Sequence, residues 1–84
     1  MMNEYKIYTI FVQLPGNRKH KIEVTTEDTM LYIKNKISLE LKLNPDNWGI
    51  FIPDGYRLNL VDDNIKIKEV DKNKLHFYPK RNKV

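Results

Sequence analysis

Hydrophobic and polar residues alternate along the amino-terminal third of the chain. Tyr8–Leu14 is rich in β-branched and aromatic residues, which favours a strand, and the Pro15-Gly16-Asn17 segment that follows is typical of a turn. Arg18–Thr25 alternates with a period of two, so that His20, Ile22 and Val24 share one face and Lys19, Lys21 and Glu23 share the other. The pattern predicts an amino-terminal β-hairpin whose second strand is buried on one face only.

Helical spacing replaces the alternation after Thr25. Apolar residues then recur three or four positions apart, at Met30, Ile33, Ile37 and Leu41. Thr29 stands where a helix N-cap is expected, and the acidic residues just before it suit the positive end of a helix dipole. We therefore predict one amphipathic helix over Met30–Lys42.

The carboxy-terminal half alternates between turn signals and short apolar runs. The Asn44–Asn47 segment should end the helix, and Pro53-Asp54-Gly55 is a second turn signal. Between and after them the pattern predicts strands at Trp48–Ile52, Arg57–Leu60 and Lys74–Pro79, with a single helical turn within Ile65–Val70.

One helix cannot cover both faces of a sheet, so we expect the helix to pack on one face and the other to contact water. This order of elements predicts an α+β fold of the β-grasp type, with a mixed four- to five-stranded sheet. At 84 residues the chain fits a single domain. We place its core at about residues 5–79 and assign residues 80–84 to a basic tail.

Composition narrows the classes of function. There is no Cys and there are two His, so the sequence predicts no disulfide, no thiolate zinc site and no bound metal or cofactor. No apolar run approaches the 18 or so residues of a membrane span, and we expect a cytoplasmic protein that its partner could recruit to a membrane. Fifteen basic and eleven acidic residues are interspersed, which does not favour nucleic-acid binding. No nucleophile–base pair or phosphate-binding Gly loop indicates an enzyme.

Several segments resemble known interaction domains. Ile10-Phe11-Val12, the helix and Ile50-Phe51-Ile52 are similar to ubiquitin-like domains over nearly the whole chain. Leu14-Pro15 at the hairpin resembles the Ras-binding domains of the Raf type. The segments Asn47–Ile52 and Leu75–Arg81 resemble the amino-terminal ubiquitin-like lobes of talin and other FERM proteins.

The Raf-type resemblance implies binding of an activated, GTP-bound Ras-family GTPase, Ras or Rap. A basic edge strand would pair with the GTPase strand and meet its acidic effector loop, and the helix would add one lysine. The implied contact residues are Phe11, Arg18, Lys19, Lys21, Glu23 and Lys36. Phe11 stands where the Raf type has a basic residue, and Leu39 and Leu41 replace basic helix residues, which favours weaker recognition.

Other interpretations stay open. Charges on an edge strand also serve to prevent aggregation, and Lys36 could simply pair with Glu40 one helical turn away. The sheet face could bind a protein receptor, as in a ubiquitin-like adaptor, or a FERM-type lobe could sit on anionic membrane lipid. In each case we expect a monomeric module of a larger signalling or cytoskeletal protein.

Overall fold

The structure is a computed structural model that describes residues 6–80. It contains five strands, which are β1 (Ile7–Leu14), β2 (Arg18–Thr25), β3 (Trp48–Asp54), β4 (Arg57–Leu60) and β5 (His76–Pro79). The helix α1 spans Met30–Leu41. Three short 3₁₀ turns lie at Pro45–Asn47, Ile67–Glu69 and Lys72–Lys74.

The strands form one mixed sheet in the order β2-β1-β5-β3-β4. The β1–β5 pair is parallel, and the other neighbouring pairs are antiparallel. The predicted α+β architecture is therefore confirmed, with five strands. β2 and β4 are the two edges of this sheet, as we predicted for β2.

The helix begins and ends where local chemistry dictates. The Thr29 side chain accepts a hydrogen bond from the Tyr32 backbone N–H at 3.2 Å, which satisfies one free donor of the first turn. Lys42 was predicted to be the last helical residue, but its φ of 61° lies in the left-handed region. The helix therefore ends one residue earlier, at Leu41, and Lys42 serves as its cap.

The core lies between α1 and one face of the sheet. The chain buries Ile10, Val12, Ile22, Val24, Met30, Ile33, Ile37, Ile50, Leu75 and Phe77 almost completely. The Trp48 ring stacks on Phe77, with centroids 4.8 Å apart. Within residues 6–80, no helix lies on the opposite face of the sheet, and we call it the open face.

Several strand boundaries also differ from the sequence prediction, and β1 begins at Ile7, one residue before the predicted Tyr8. β3 continues through Pro53 to Asp54, so the turn consists of Gly55 and Tyr56. A proline is tolerated in a strand where no ladder hydrogen bond needs its missing N–H. The predicted turn in Ile65–Val70 is the 3₁₀ turn at Ile67–Glu69, and the last strand begins at His76. The predicted core limit at residue 5 and the tail residues 81–84 lie outside the described residues.

A surface ion-pair cluster ties the loop before α1 to the 3₁₀ turn at Ile67–Glu69. Glu27 accepts from Lys66 Nζ and from Lys68 Nζ, each at 2.9 Å. Hydrogen bonds from Lys68 and Lys66 lower the pKa of Glu27, and the bond to Glu27 raises the pKa of Lys66. The cluster therefore stabilises the folded chain only while Glu27 is ionised.

This cluster predicts a small acid sensitivity. Because the folded-state pKa of Glu27 lies below its usual value, its contribution is present above that value and is lost as the pH falls through the folded-state pKa. In urea unfolding between about pH 6 and pH 3, Glu27→Gln should lose less stability than the wild type. Parallel pH curves for the two proteins would contradict this assignment.

Candidate interaction surfaces

The open face carries a patch of exposed and half-buried apolar side chains at its β4 side. Strand pairing brings together Phe51 with Leu60, Pro53 with Leu58, and Gly49 with Tyr78. Directly opposed residues share a face, and Ile50 and Phe77 point to the core, so these neighbours point away from it. We call Phe51, Leu58, Leu60 and Tyr78 the apolar patch; Leu58 is 39% exposed and Leu60 is 52% exposed.

The patch is shaped by a glycine. A Cβ on Gly49 would lie 2.6 Å from Leu60 Cδ1, so the leucine lies flat on the backbone of β3. The same Cβ would lie 3.4 Å from Lys80 Cε, which brings the lysine stem to the same spot. Beside it, Phe51, Leu58 and Tyr78 line a shallow depression together with Pro79 and Lys80.

Basic groups border this face on both sides. Lys19 and Lys21 oppose Gln13 and Phe11 across the β1–β2 ladder, so their side chains lie on the open face. Phe11 is 55% exposed there. Glu23 is the acidic residue that β2 adds to the same face. Because lysines stand at β2 and at the end of β5, the open face favours ligands that carry negative charge beside apolar groups.

The predicted contact residues do not form a single cluster. Arg18 is two residues from His20, which faces α1, so Arg18 belongs to the helix side of β2, whereas Lys19 and Lys21 belong to the open face. All three are exposed. A ligand that pairs with the free backbone edge of β2 can contact both sides, but a ligand on the open face meets the lysines alone.

Lys36 is already engaged within the domain. Its Nζ donates to the Glu23 carbonyl oxygen at 3.1 Å and lies 6.0 Å from the centre of the Tyr32 ring. The alternative pairing of Lys36 with Glu40 is wrong, because Glu40 lies 2.6 Å from His20 Nε2. Lys36 therefore joins the helix to the end of β2, and a ligand there has to share or displace that contact.

The sequence prediction missed two groups of exposed apolar residues. One group is the part of the apolar patch that lies outside β3, namely Leu58, Leu60 and Tyr78. The other is the outer side of α1, where Tyr32 and Leu39 flank a shallow depression. The signal for the first was present, because Leu58 and Leu60 alternate in a predicted strand. Which face they would occupy depended on the strand order, which no local pattern specifies.

Other kinds of site find no support in the part of the chain that the structure describes. Residues 6–80 contain no group of three or more His, Asp or Glu side chains placed to hold a metal ion. Over the same residues, no helix combines the length and apolar character that crossing a membrane requires.

Comparison with known proteins identifies the fold. No family model and no curated protein matches the sequence. Among solved structures, the chain is similar to the ubiquitin-like (UBL) domain of Plasmodium falciparum Dsk2, with a TM-score of 0.70 and 14% identity. The match covers 89% of this chain and 100% of that one. The chain has a ubiquitin-like fold.

This result confirms the ubiquitin-like part of the resemblance found in the sequence. Identity of 14% supports the fold alone. The Raf-type and talin-type parts of the resemblance stay predictions, as do the roles of the six residues assigned to GTPase contact. Function has to be argued from the surfaces that the ubiquitin-like fold presents.

Proposed function

We propose that this ubiquitin-like domain is a non-catalytic protein-interaction module whose open face binds a partner protein. The observation that carries the proposal is the apolar patch. Exposed apolar side chains that adjoin one another and are bordered by polar groups are typical of protein-binding sites. Here Leu58, Leu60 and Tyr78 adjoin Phe51 on the sheet, and Phe51, Leu58 and Tyr78 line a shallow depression.

Charge defines the partner's chemistry further. Lys80 stands beside the patch, and Lys19 and Lys21 lie across the same face. A complementary partner presents apolar side chains to the patch and carboxylates toward the lysines. Rim charges of this kind chiefly set the rate and salt dependence of association, and the buried apolar contacts set its lifetime.

A second candidate is binding of GTP-loaded Ras or Rap at β2. It is favoured by the position of β2 at the sheet edge, with Arg18, Lys19 and Lys21 exposed along it. A GTPase strand could pair with this edge while its carboxylates meet the basic side chains. Phe11 in place of a basic residue, and the contact that already holds Lys36, argue for weak binding in this mode.

The two modes are separable because they use opposite edges of the sheet. With strands about 4.8 Å apart, β2 and β4 are separated by roughly 19 Å. Leu58→Glu alters the apolar patch without touching β2. Arg18→Glu alters the β2 edge on its helix side without touching the open face.

The test uses the wild-type domain and these two variants as baits in an extract of the source cells. Captured proteins are then purified and titrated singly. The proposal predicts a partner lost with Leu58→Glu and retained with Arg18→Glu. A partner lost with Arg18→Glu and retained with Leu58→Glu would contradict the proposal. If the amide chemical shifts of the domain also moved on addition of Ras or Rap bound to a GTP analogue but not to GDP, the GTPase mode would replace it. Binding of anionic vesicles that Lys19→Glu or Lys21→Glu abolishes, with no protein partner captured, would replace it with a membrane role.

A further inference from the structure

The outer edge of β4 has free hydrogen-bonding groups. Val61 N–H donates to the Ile50 carbonyl at 2.8 Å, so the odd-numbered residues of this segment bond toward β3. In an antiparallel ladder the bonding direction alternates, so the N–H and C=O groups of Leu58 and Leu60 point away from β3. Within residues 6–80 no other strand pairs with this side.

The two edges of the sheet differ in how they are protected. β2 carries Arg18, Lys19 and Lys21, and like charges oppose pairing of one β2 with another. β4 carries a single charge, at Arg57, followed by Leu58, Asn59 and Leu60. A free edge with leucines and few charges is the kind that pairs with another strand.

We propose that two copies of this chain associate through antiparallel pairing of their β4 strands. In the register that uses every outward N–H and C=O of both strands, Leu58 of one copy opposes Leu60 of the other, with Asn59 at the two-fold axis and both open faces on the same side of the joined sheet. In this register each Leu58–Leu60 pair exchanges both backbone hydrogen bonds. The leucine side chains then become cross-strand neighbours, and the two apolar patches form one surface.

Charge complementarity supports a second copy as the occupant. Antiparallel pairing places the start of one β4 beside the end of the other, so Arg57 of each copy approaches the segment that begins at Asp62 of its mate. Within residues 6–80 neither Arg57 nor Asp62 has an ion-pair partner. The two-fold axis makes this attraction occur twice.

The association should be weak and dependent on concentration. The strand has four residues, and interfaces at the small end of the range belong to transient complexes. This inference does not rest on the proposed partner, because it uses the backbone edge of β4. In the dimer, a partner would contact the two apolar patches as one surface. This applies where the domain is concentrated, for example when several copies are held in one assembly.

The test is sedimentation of the purified chain, together with amide chemical shifts, across a dilution series from about 1 mM to about 30 µM. The proposal predicts dimers at the high end and shifts centred on residues 57–62. Leu60→Pro removes an outward N–H, whereas Leu60→Ala keeps it and removes most of the side chain. Dimerisation should fall about tenfold more in Leu60→Pro than in Leu60→Ala.

A charge exchange provides a second readout that leaves the leucines in place. Arg57→Glu and Asp62→Lys should each weaken the dimer, and the double variant should restore it. A chain that stays monomeric throughout, a dimer that survives Leu60→Pro, or shifts centred on β2 or α1 would each overturn the proposal.

Discussion

Phe77→Ala is expected to cost about 3–5 kcal/mol, which is most of the free energy of unfolding of so small a domain. Phe77 has 0% exposure and lies at the centre of the core, opposite Ile50 and stacked on Trp48. Its removal leaves a cavity that the sheet and α1 have little freedom to close. The measurement is urea unfolding, followed by far-UV circular dichroism because Trp48 fluorescence itself reports on this contact.

Phe11→Ala provides the matched control. The side chain is of the same type and lies in the same sheet, but it is 55% exposed on the open face. Its loss should change the free energy of unfolding by about 0.5 kcal/mol or less. A Phe77→Ala domain as stable as Phe11→Ala would contradict the description of the core.

Leu58→Glu is expected to weaken partner binding about 30-fold or more, the loss that a central contact of an interface gives. The substitution puts a carboxylate where the partner's apolar group has to be desolvated. It also gives the patch a negative charge, the same sign as the carboxylates expected on the partner. Isothermal titration or shift titration with the captured partner gives the ratio of dissociation constants directly.

Leu39→Glu is the matched control for that substitution. Leu39 is 80% exposed on the outer side of α1, on the other side of the sheet from the patch. The same change of charge and side-chain type there should leave the dissociation constant within about threefold of the wild type. If Leu39→Glu lost binding and Leu58→Glu kept it, the binding site would be on the helix.

The fold was largely predictable because its signals are local. Period-two alternation fixed β2 at Arg18–Thr25, helical spacing fixed the start of α1 at Met30, and Gly and Pro residues marked the turns. The boundaries that differed depend on non-local or cooperative features. Pro53 stays in β3 because β4 pairs with it across the turn, and Lys42 leaves the helix because it takes up the capping conformation.

The candidate sites were less predictable. The sequence indicated that Arg18, Lys19 and Lys21 lie on an exposed strand, but it treated them as one cluster. The pleat of β2 divides them between two faces. The apolar patch combines Phe51, Leu60 and Tyr78 from three strands, and that combination depends on β5 lying between β1 and β3. The sequence pattern within a single strand does not specify which other strands it pairs with.

The central claim is that the open face is the binding surface, and a shift map of the ¹⁵N-labelled domain with its captured partner tests it most directly. The account predicts that the largest amide shifts fall at Phe51, Leu58, Leu60 and Tyr78, with smaller ones at Lys19 and Lys21. Shifts confined to Arg18–Glu23 and the adjoining part of α1, with the β4 signals unmoved, would contradict it.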